Sequence, residues 1–449
     1  MPGPVGAERA RAVMEAALDM PGVDGVEVLF LHEWGGLTRF ASSAIHQSTW
    51  KEDTAIRVRV VSNGRIGVAS TNDFSEPGAR QAAINAAEMA GVVSPDPLFP
   101  GLAPPADAPQ KEAYDDSTAS TTPGDQAERV AALVAQCDDG FHAAGSFETG
   151  AVEIAVVNSE GQFCYAPTTQ ASVTALVSGG EGGAGYVEGW ATRAADLDLE
   201  SIGRRASRKA RDSQRPRPLE AGHYEVVLEP GAVATLVSFL AYMGFGGRAL
   251  AEGRSCLSGK HGQRVTAEPI SIADDVLADG MPGAPFDFEG TPKRRVDLIR
   301  DGVFVDGVYD RRSARQAGKE PTGHALPPPN PEGPFPLNLV MEPGDSGLDD
   351  MVAGTGRGLL VTRFHYSNIV HPLDSVITGM TRDGTWLIED GEIKHPVRNL
   401  RFTQSILEAL SNVDLVGRDT EMVSEFFFSA SLVPALKLSR FHFTGVSDH

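Results

Sequence analysis

The stretch "DSVITGMTRDGTWLIEDGEIKHPV", from Asp374 to Val397, decides the fold class. Its apolar and polar residues alternate, and the alternating runs are separated by Asp383-Gly384 and Asp390-Gly391. Asp-Gly favours the tight turn of a β-hairpin, because both central positions take a positive φ. A third such pair, Asp301-Gly302, lies within "KRRVDLIRDGVFVDGVYDRRSA". The pattern predicts a β-rich, antiparallel C-terminal domain over residues 214–449.

The N-terminal half repeats one order of elements twice. Helical patterns over 6–20 and in "GARQAAINAAEMAG" enclose three apolar, β-branched runs, and Asn63-Gly64 joins the last of them to "RIGVAS" in a hairpin. The helical stretch "DQAERVAALVAQCDDG", a meander turning at 158–161 and the helical "DLDLESIGRRASRKARDS" follow. The sequence therefore predicts an N-terminal α/β domain of helix–sheet repeats over 1–213 and an α+β chain overall. The proline-flanked stretch 213–222 marks the boundary.

Composition excludes several classes of partner. The chain has 39 basic and 60 acidic residues, a formal net charge of −21, which repels nucleic acid and anionic membranes. Its three cysteines are unclustered, as expected in a reducing cytoplasm. The N-terminus shows no apolar signal segment. The longest apolar run, 231–247, is shorter than the roughly 20 residues of a membrane span, which favours a buried helix.

The pair His32-Glu33 in "FLHEWGGLTRF" resembles the start of a zinc-peptidase motif. HExxH would place its second histidine at Gly36, and HExxxH would place it at Leu37. Gly35 and Gly36 instead predict a strand, a glycine turn and a second strand. We therefore expect His32-Glu33 to lie at a surface strand end. No phosphate-binding GxxxxGK[ST] loop and no GxSxG nucleophile elbow occur.

The stretch from Pro285 to Pro331 combines a hairpin pattern with a long loop containing a histidine, an asparagine and three consecutive prolines. Long ordered loops on β scaffolds often shape ligand clefts, although a rigid loop that only packs is an equal alternative. His365 and His371 lie six apart on one expected strand and can share a face. Ordinary polar residues are the favoured interpretation of that pair.

Several long stretches, in one order from about residue 25 to 420, resemble the TldD/PmbA family, also called modulator of DNA gyrase proteins. They are "LTRFASSAIHQS", "SNGRIGVAST", "PFDFEGTPKRRVDLIRDGVF", "YDRRSARQAGKEPTGHA", "ITGMTRDGTWLIEDGEIKHPVRNLRFT" and "NVDLVG". The resemblance implies a metal-dependent peptidase system of the bacterial or archaeal cytoplasm. In it, TldD-like and PmbA-like (TldE) chains form a heterodimer that cleaves short or unfolded peptides.

In TldD-like chains, the resemblance implies a helix with HExxxH and a later cysteine as the third zinc ligand. Such a set leaves one position on the metal for water, and the glutamate takes the proton of that water. Here the corresponding helix is "ATLVSFLAYMGFGGR", Ala234 to Arg248, without histidine or glutamate. The later region "TRFHYSNIVHP" has no cysteine. The chain thus resembles the PmbA/TldE partner, with no catalytic residue, metal ligand or cofactor of its own and with zinc in the TldD-like subunit.

The expected substrate-cleft residues are polar or flexible positions in the family-like stretches, in the loop 321–331 and in the region "TRFHYSNIVHP". They are His324, Asn330, Thr322, Gly323, His365 and Thr381. We expect the loop 321–331 to line the cleft, and in the competing interpretation His324 only anchors that loop to its own domain. The apolar stretch 425–438 is either part of the subunit interface or the last core strand.

Two other functions stay open at this point. One is a stand-alone peptide-binding or scaffold protein without peptidase activity. The other is an enzyme with an unconventional metal site that uses His324, His365 or His371.

Overall fold

The computed structural model describes residues 3–424 and 430–446. The chain is mixed α+β, with 23% helix and 42% strand, which confirms the predicted fold class. Among the described residues, no helix is both long enough and apolar enough to cross a membrane.

The N-terminal half forms one antiparallel sheet in the order β3-β2-β1-β4-β5-β6. The strands are β1 (Gly25–Ala41), β2 (Ala44–Ser62), β3 (Arg65–Thr71), β4 (Phe141–Asn158), β5 (Phe163–Gly179) and β6 (Gly183–Ala191). The helices are α1 (Ala7–Glu15), α2 (Glu76–Val92), α3 (Asp116–Ala119), α4 (Pro123–Val134) and α5 (Leu199–Asp212), with a 3-10 turn at Ala194–Asp196. Two three-stranded meanders, each with helices before and after it, meet where β1 pairs with β4. This is the predicted repeat.

Local sequence explains several boundaries in this half. Asn63 and Gly64 take φ values of 50° and 72° and join β2 to β3, as the Asn-Gly pair predicts. Helix α4 begins with a capping box, in which Thr122 and Asp125 each bond the backbone N–H of the other.

Strand β1 is continuous through Gly35 and Gly36, so the predicted glycine turn is wrong. A Cβ atom on Gly35 would lie 2.5 Å from the carbonyl oxygen of Thr149 on β4. The glycine therefore allows close approach of a neighbouring strand and does not reverse the chain. His32 lies mid-strand and is only 2% exposed, so its expected place at a surface strand end is also wrong.

The C-terminal half holds eleven described strands in one sheet. They are β7 (Gly222–Leu228), β8 (Ile272–Asp274), β9 (Val296–Arg300), β10 (Val303–Phe304), β11 (Asn338–Met341), β12 (Arg357–His371), β13 (Val376–Glu389), β14 (Glu392–Pro396), β15 (Leu400–Ser405), β16 (Val413–Ser424) and β17 (Ala430–Val446). The helices are α6 (Pro230–Gly244), α7 (Gly247–Ala251), α8 (Arg311–Ala317), α9 (Leu348–Ala353) and α10 (Ile406–Ser411), with a 3-10 turn at Pro372–Asp374.

Most neighbours in this sheet are antiparallel, but β7–β12 and β11–β17 are parallel. Strand β17 pairs with both β15 and β7, so β7, β12, β13, β15 and β17 close into a ring of hydrogen-bonded strands. Helix α6 is almost entirely buried and belongs to the same hydrophobic core as the inner faces of these strands. The stretch 425–438 enters β17 at Ala430, and residues 425–429 of that expected interface lie outside the described part.

Two of the three Asp-Gly pairs are hairpin turns, and one is not. Asp301-Gly302 joins β9 to β10, and Asp390-Gly391 joins β13 to β14. Asp383-Gly384 lies inside β13, so the predicted turn is wrong. At this point β13 advances three residues while its partner β12 advances two, which is a β-bulge. A β-bulge uses the same positive φ values as a turn, and the two share an Asp-Gly signature.

The loop entered at Pro285 joins the two halves of the molecule. Arg59 Nη1 donates to Glu289 Oε1 at 2.9 Å, and Gln162 Nε2 donates to the carbonyl oxygen of Gly290 at 2.6 Å. Arg57 Nη1 donates to the carbonyl oxygen of Pro328 at 2.9 Å. These bonds fix the N-terminal sheet against the loops of the C-terminal half.

Helix α8 holds the proline-rich connection that follows α2. Arg312 Nε donates to Asp96 Oδ2 at 2.7 Å, and Arg315 Nη1 donates to the carbonyl oxygen of Phe99 at 2.7 Å. The family-like stretch "YDRRSARQAGKEPTGHA" therefore contributes a row of arginines to the contact between the two halves.

Candidate functional site

A pocket of about 270 Å³ lies where the N-terminal sheet meets helix α6 and strand β12. It is lined by Tyr186, Glu188, Thr235, Phe239, Arg363, Phe364, His365, Tyr366, Ser367 and Ser424. Both halves of the chain contribute walls, so the pocket exists only when they are packed together.

Strand β6 supplies one wall through two residues that alternation places on the same face. The Tyr186 hydroxyl donates to Glu188 Oε2 at 3.0 Å, which fixes the two side chains to each other. Helix α6 supplies the opposite wall, where Thr235 and Phe239 are four residues apart and lie on one helix face.

Arg363 on β12 is held on two sides. Its Nε donates to Asp383 Oδ2 at 2.8 Å, its Nη2 also contacts that oxygen, and its Cζ lies 3.7 Å from the ring centroid of Tyr186. Nη1 of Arg363 has no hydrogen-bonding partner in the described part of the chain. The β13 bulge places Asp383 beside Arg363, so the misread Asp-Gly pair serves to orient a pocket cation.

His365, two residues further along β12, also lines the pocket. Partial burial, reinforced by the nearby Arg363 and Arg382 guanidinium groups, lowers the pKa of His365 below its ordinary value. Its imidazole is therefore neutral at pH 7 and offers one donor and one acceptor.

The expected loop residues around His324 lie in the interior of the C-terminal half. His324 is 2% exposed, with Nε2 2.8 Å from Asp274 Oδ1 and Nδ1 2.8 Å from Thr322 Oγ1. Gly323 has φ 78°, and a Cβ there would lie 2.5 Å from the Pro292 carbonyl oxygen. These contacts are those expected if His324 anchors the loop, and its contact with a substrate stays a prediction.

Of the remaining expected cleft residues, Asn330 lies in a loop, Thr381 in the core and His365 at the pocket. Asn330 closes its own turn, with Nδ2 donating to the Gly333 carbonyl oxygen at 2.7 Å. Thr381 is fully buried, and its Oγ1 accepts the Leu400 N–H at 3.0 Å. Of the six candidates, His365 is the one that lines the pocket.

The residues around the pocket do not fit a zinc site. Catalytic zinc needs three protein ligands, and the described residues contain no group of three histidine, cysteine, aspartate or glutamate side chains placed to share an ion. Helix α6 presents a hydroxyl and a phenyl ring there. Two register shifts of β12 separate His365 from His371, so simple alternation does not bring the two imidazoles together.

Sequence patterns did not indicate Tyr186, Arg363 or Asp383. Tyr186 and Arg363 lie far apart in the chain and meet only because the N-terminal sheet packs against the C-terminal half. The sequence marked this region only through Asp383-Gly384. That pair has the composition of a tight turn but forms a β-bulge.

Three domain models of one family match the chain. They are the PmbA/TldA metallopeptidase domain 1 at residues 26–90, the central domain at 104–214 and the C-terminal domain at 221–445. The chain is 26% identical to a metalloprotease of Methanothermobacter thermautotrophicus, covering 82% of each sequence. It is 25% identical to metalloprotease PmbA of Escherichia coli O157:H7, covering 93% of this chain and 92% of that relative.

The fold is similar to the crystal structure of TldE from Thermococcus kodakarensis. The TM-score is 0.87 at 22% identity, and the match covers 98% of this chain and 99% of the other. The C-terminal domain model alone spans half of the chain, and the other two models precede it in order. The chain therefore belongs to the PmbA/TldD metallopeptidase family.

Proposed function

We propose that this chain is the non-catalytic, PmbA/TldE-type subunit of a zinc peptidase complex that cleaves short or unfolded peptides. A TldD-type partner supplies the zinc and the general base, and this chain holds part of the peptide. We place the complex in the cytoplasm, which the three unpaired cysteines support.

The observation that carries the proposal is the pair of side chains that α6 turns toward the pocket. Thr235 and Phe239 can neither bind zinc strongly nor take a proton from water at pH 7. The pocket itself is nevertheless formed, with an oriented arginine and a neutral imidazole on β12. The arginine and the imidazole can bind a ligand, but among the described residues this pocket lacks the groups that would catalyse peptide hydrolysis.

Burial leaves the cysteines unsuited to catalysis as well. Burial raises the pKa of Cys164 to about 12 and that of Cys256 to about 11, so neither is a thiolate at neutral pH. A nucleophilic cysteine mechanism at these two positions therefore has no support.

Co-expression with the HExxxH-bearing chain of the same genome tests the proposal. A tag on this chain should recover the partner at equal amounts, and the complex should cleave an unfolded peptide that neither chain cleaves alone. Glutamine in place of the partner's motif glutamate should abolish cleavage and leave the complex intact.

Two other results would favour different functions. If co-expression recovers no partner and no peptide is cleaved, while this chain still binds peptides, it is a stand-alone peptide-binding or scaffold protein. If it cleaves peptides alone in a zinc-dependent manner, the assignment of a non-catalytic subunit is wrong.

A further inference from the structure

We propose that Arg363 binds a carboxylate group of a peptide in the pocket between β6, α6 and β12. The inference rests on the proposed peptide-holding role and specifies the ligand group. It assigns to Arg363 a part in specificity and none in bond cleavage.

The geometry of the guanidinium is that of a prepared anion site. Asp383 holds the edge formed by Nε and Nη2, and the Tyr186 ring covers one face of the plane. The side chain is 20% exposed, and Nη1 is the guanidinium nitrogen without a hydrogen-bonding partner among residues 3–424 and 430–446. Because the group is oriented before binding, little side-chain entropy is lost when a carboxylate docks.

The surrounding groups suit the end of a peptide. The Ser367 hydroxyl and the neutral imidazole of His365 provide further donors and acceptors.

The local charge differs from that of the whole molecule. The chain carries a net charge of −21, whereas Arg363 and Arg382 both lie near His365. Asp383 offsets part of this positive charge, and it is bound to the edge of Arg363 that faces away from Nη1. A fixed cation in an otherwise acidic protein favours an anionic ligand group at this point.

Isothermal titration of the purified chain tests the proposal with three probes. They are acetyl-tetraalanine with a free carboxyl terminus, the same peptide as its amide, and an amidated peptide of equal length with one aspartate. The free acid should bind at least about tenfold more tightly than the tetraalanine amide, as for one charge-assisted pair. If the aspartate peptide also binds, the site accepts a side-chain carboxylate as well as a terminal one. If the aspartate peptide does not bind, the site is restricted to the carboxyl terminus.

Variants separate a ligand contact from a structural role. Arg363→Gln should remove the preference for the acid, and Arg363→Lys should keep part of it. Asp383→Asn should tighten binding of the acid, because the guanidinium loses its internal counter-charge. The control is Arg357→Gln on the same strand, whose side chain is 64% exposed and pairs with Glu389.

The double variant Arg363→Gln/Asp383→Asn guards against misfolding, since it removes both members of the Arg363–Asp383 ion pair, and Arg382, which also lies 3.7 Å from Asp383, is 36% exposed to water. It should melt near wild type and show no preference for the acid. Equal affinities for acid and amide, no binding at millimolar peptide, or an unchanged preference in Arg363→Gln would overturn the proposal. None of these results depends on cleavage by the complex, so the proposed function can stand or fail separately.

Discussion

Arg59 of the N-terminal sheet and Glu289 of the C-terminal half form an ion pair at 2.9 Å, with both side chains only 11% exposed. The Nε of Arg59 also lies 3.4 Å from Glu27 on β1. The pair therefore joins the two halves at a point that water barely reaches, and the pocket between β6 and β12 requires the same halves to be packed.

Arg59→Ala should destabilise the chain by about 3 kcal/mol or more, because it leaves Glu27 and Glu289 buried together without their shared cation. The measurement is the free energy of unfolding in urea. Arg80→Ala is the control, since its pair with Glu76 is exposed and is worth little. Equal losses in the two variants would contradict the assigned role of Arg59.

Glu27 should make stability fall as the pH rises from about 4.5 to 7. Burial, opposed by Arg59 and reinforced by Glu289, raises the pKa of Glu27 to about 7. The folded state then holds this proton more tightly than the unfolded state, so ionisation costs stability across that window and the cost is complete above pH 7.

Glu27→Gln removes this ionisable group and should flatten the pH dependence by an amount on the order of 3 kcal/mol between pH 5 and 8. Unfolding free energies of wild type and variant at both pH values give the difference directly. Parallel curves for the two proteins would show that Glu27 does not titrate in this window.

Gly35→Ala should be strongly destabilising, by about 2 kcal/mol or more, because its methyl group would press on the backbone of β4. Gly356→Ala is the matched control, since a Cβ there meets nothing within 4 Å. Its stability should stay within about 0.5 kcal/mol of wild type. Similar stabilities of the two variants would show that β1 and β4 can separate at Gly35.

Sequence patterns predicted local geometry well and long-range geometry poorly. Asn63-Gly64, Asp301-Gly302 and Asp390-Gly391 were recognisable because a tight turn depends on its own residues. Asp383-Gly384 and Gly35-Gly36 were misread because their conformations are set by the neighbouring strands β12 and β4. Beyond such hairpins, these sequence patterns did not indicate which strands lie beside one another.

The candidate site shows the same division. His365 could be selected as a histidine on the strand "TRFHYSNIVHP", and it lines the pocket. Tyr186 could not, because its contact with Arg363 spans the two halves of the chain. His324 was selected because it is the histidine of the loop 321–331, but its two ring nitrogens are hydrogen-bonded to Asp274 and Thr322.

His324→Ala should lower the melting temperature, because it leaves the buried Asp274 carboxylate without its imidazole partner. A loss of about 2 kcal/mol is expected for such a group. His371→Ala, at an exposed position, is the control and should melt like wild type. If His324→Ala instead keeps its melting temperature and slows cleavage by the complex, the loop 321–331 contacts substrate.

Zinc content shows whether this chain is the metal-free subunit of a zinc peptidase. The isolated chain and the co-expressed complex are purified without chelator, and metal is measured per mole of protein. We expect about one zinc per heterodimer, lost when the partner's HExxxH histidines are replaced, and none in the isolated chain. About one zinc in the isolated chain, lost on His365→Ala, would contradict this expectation.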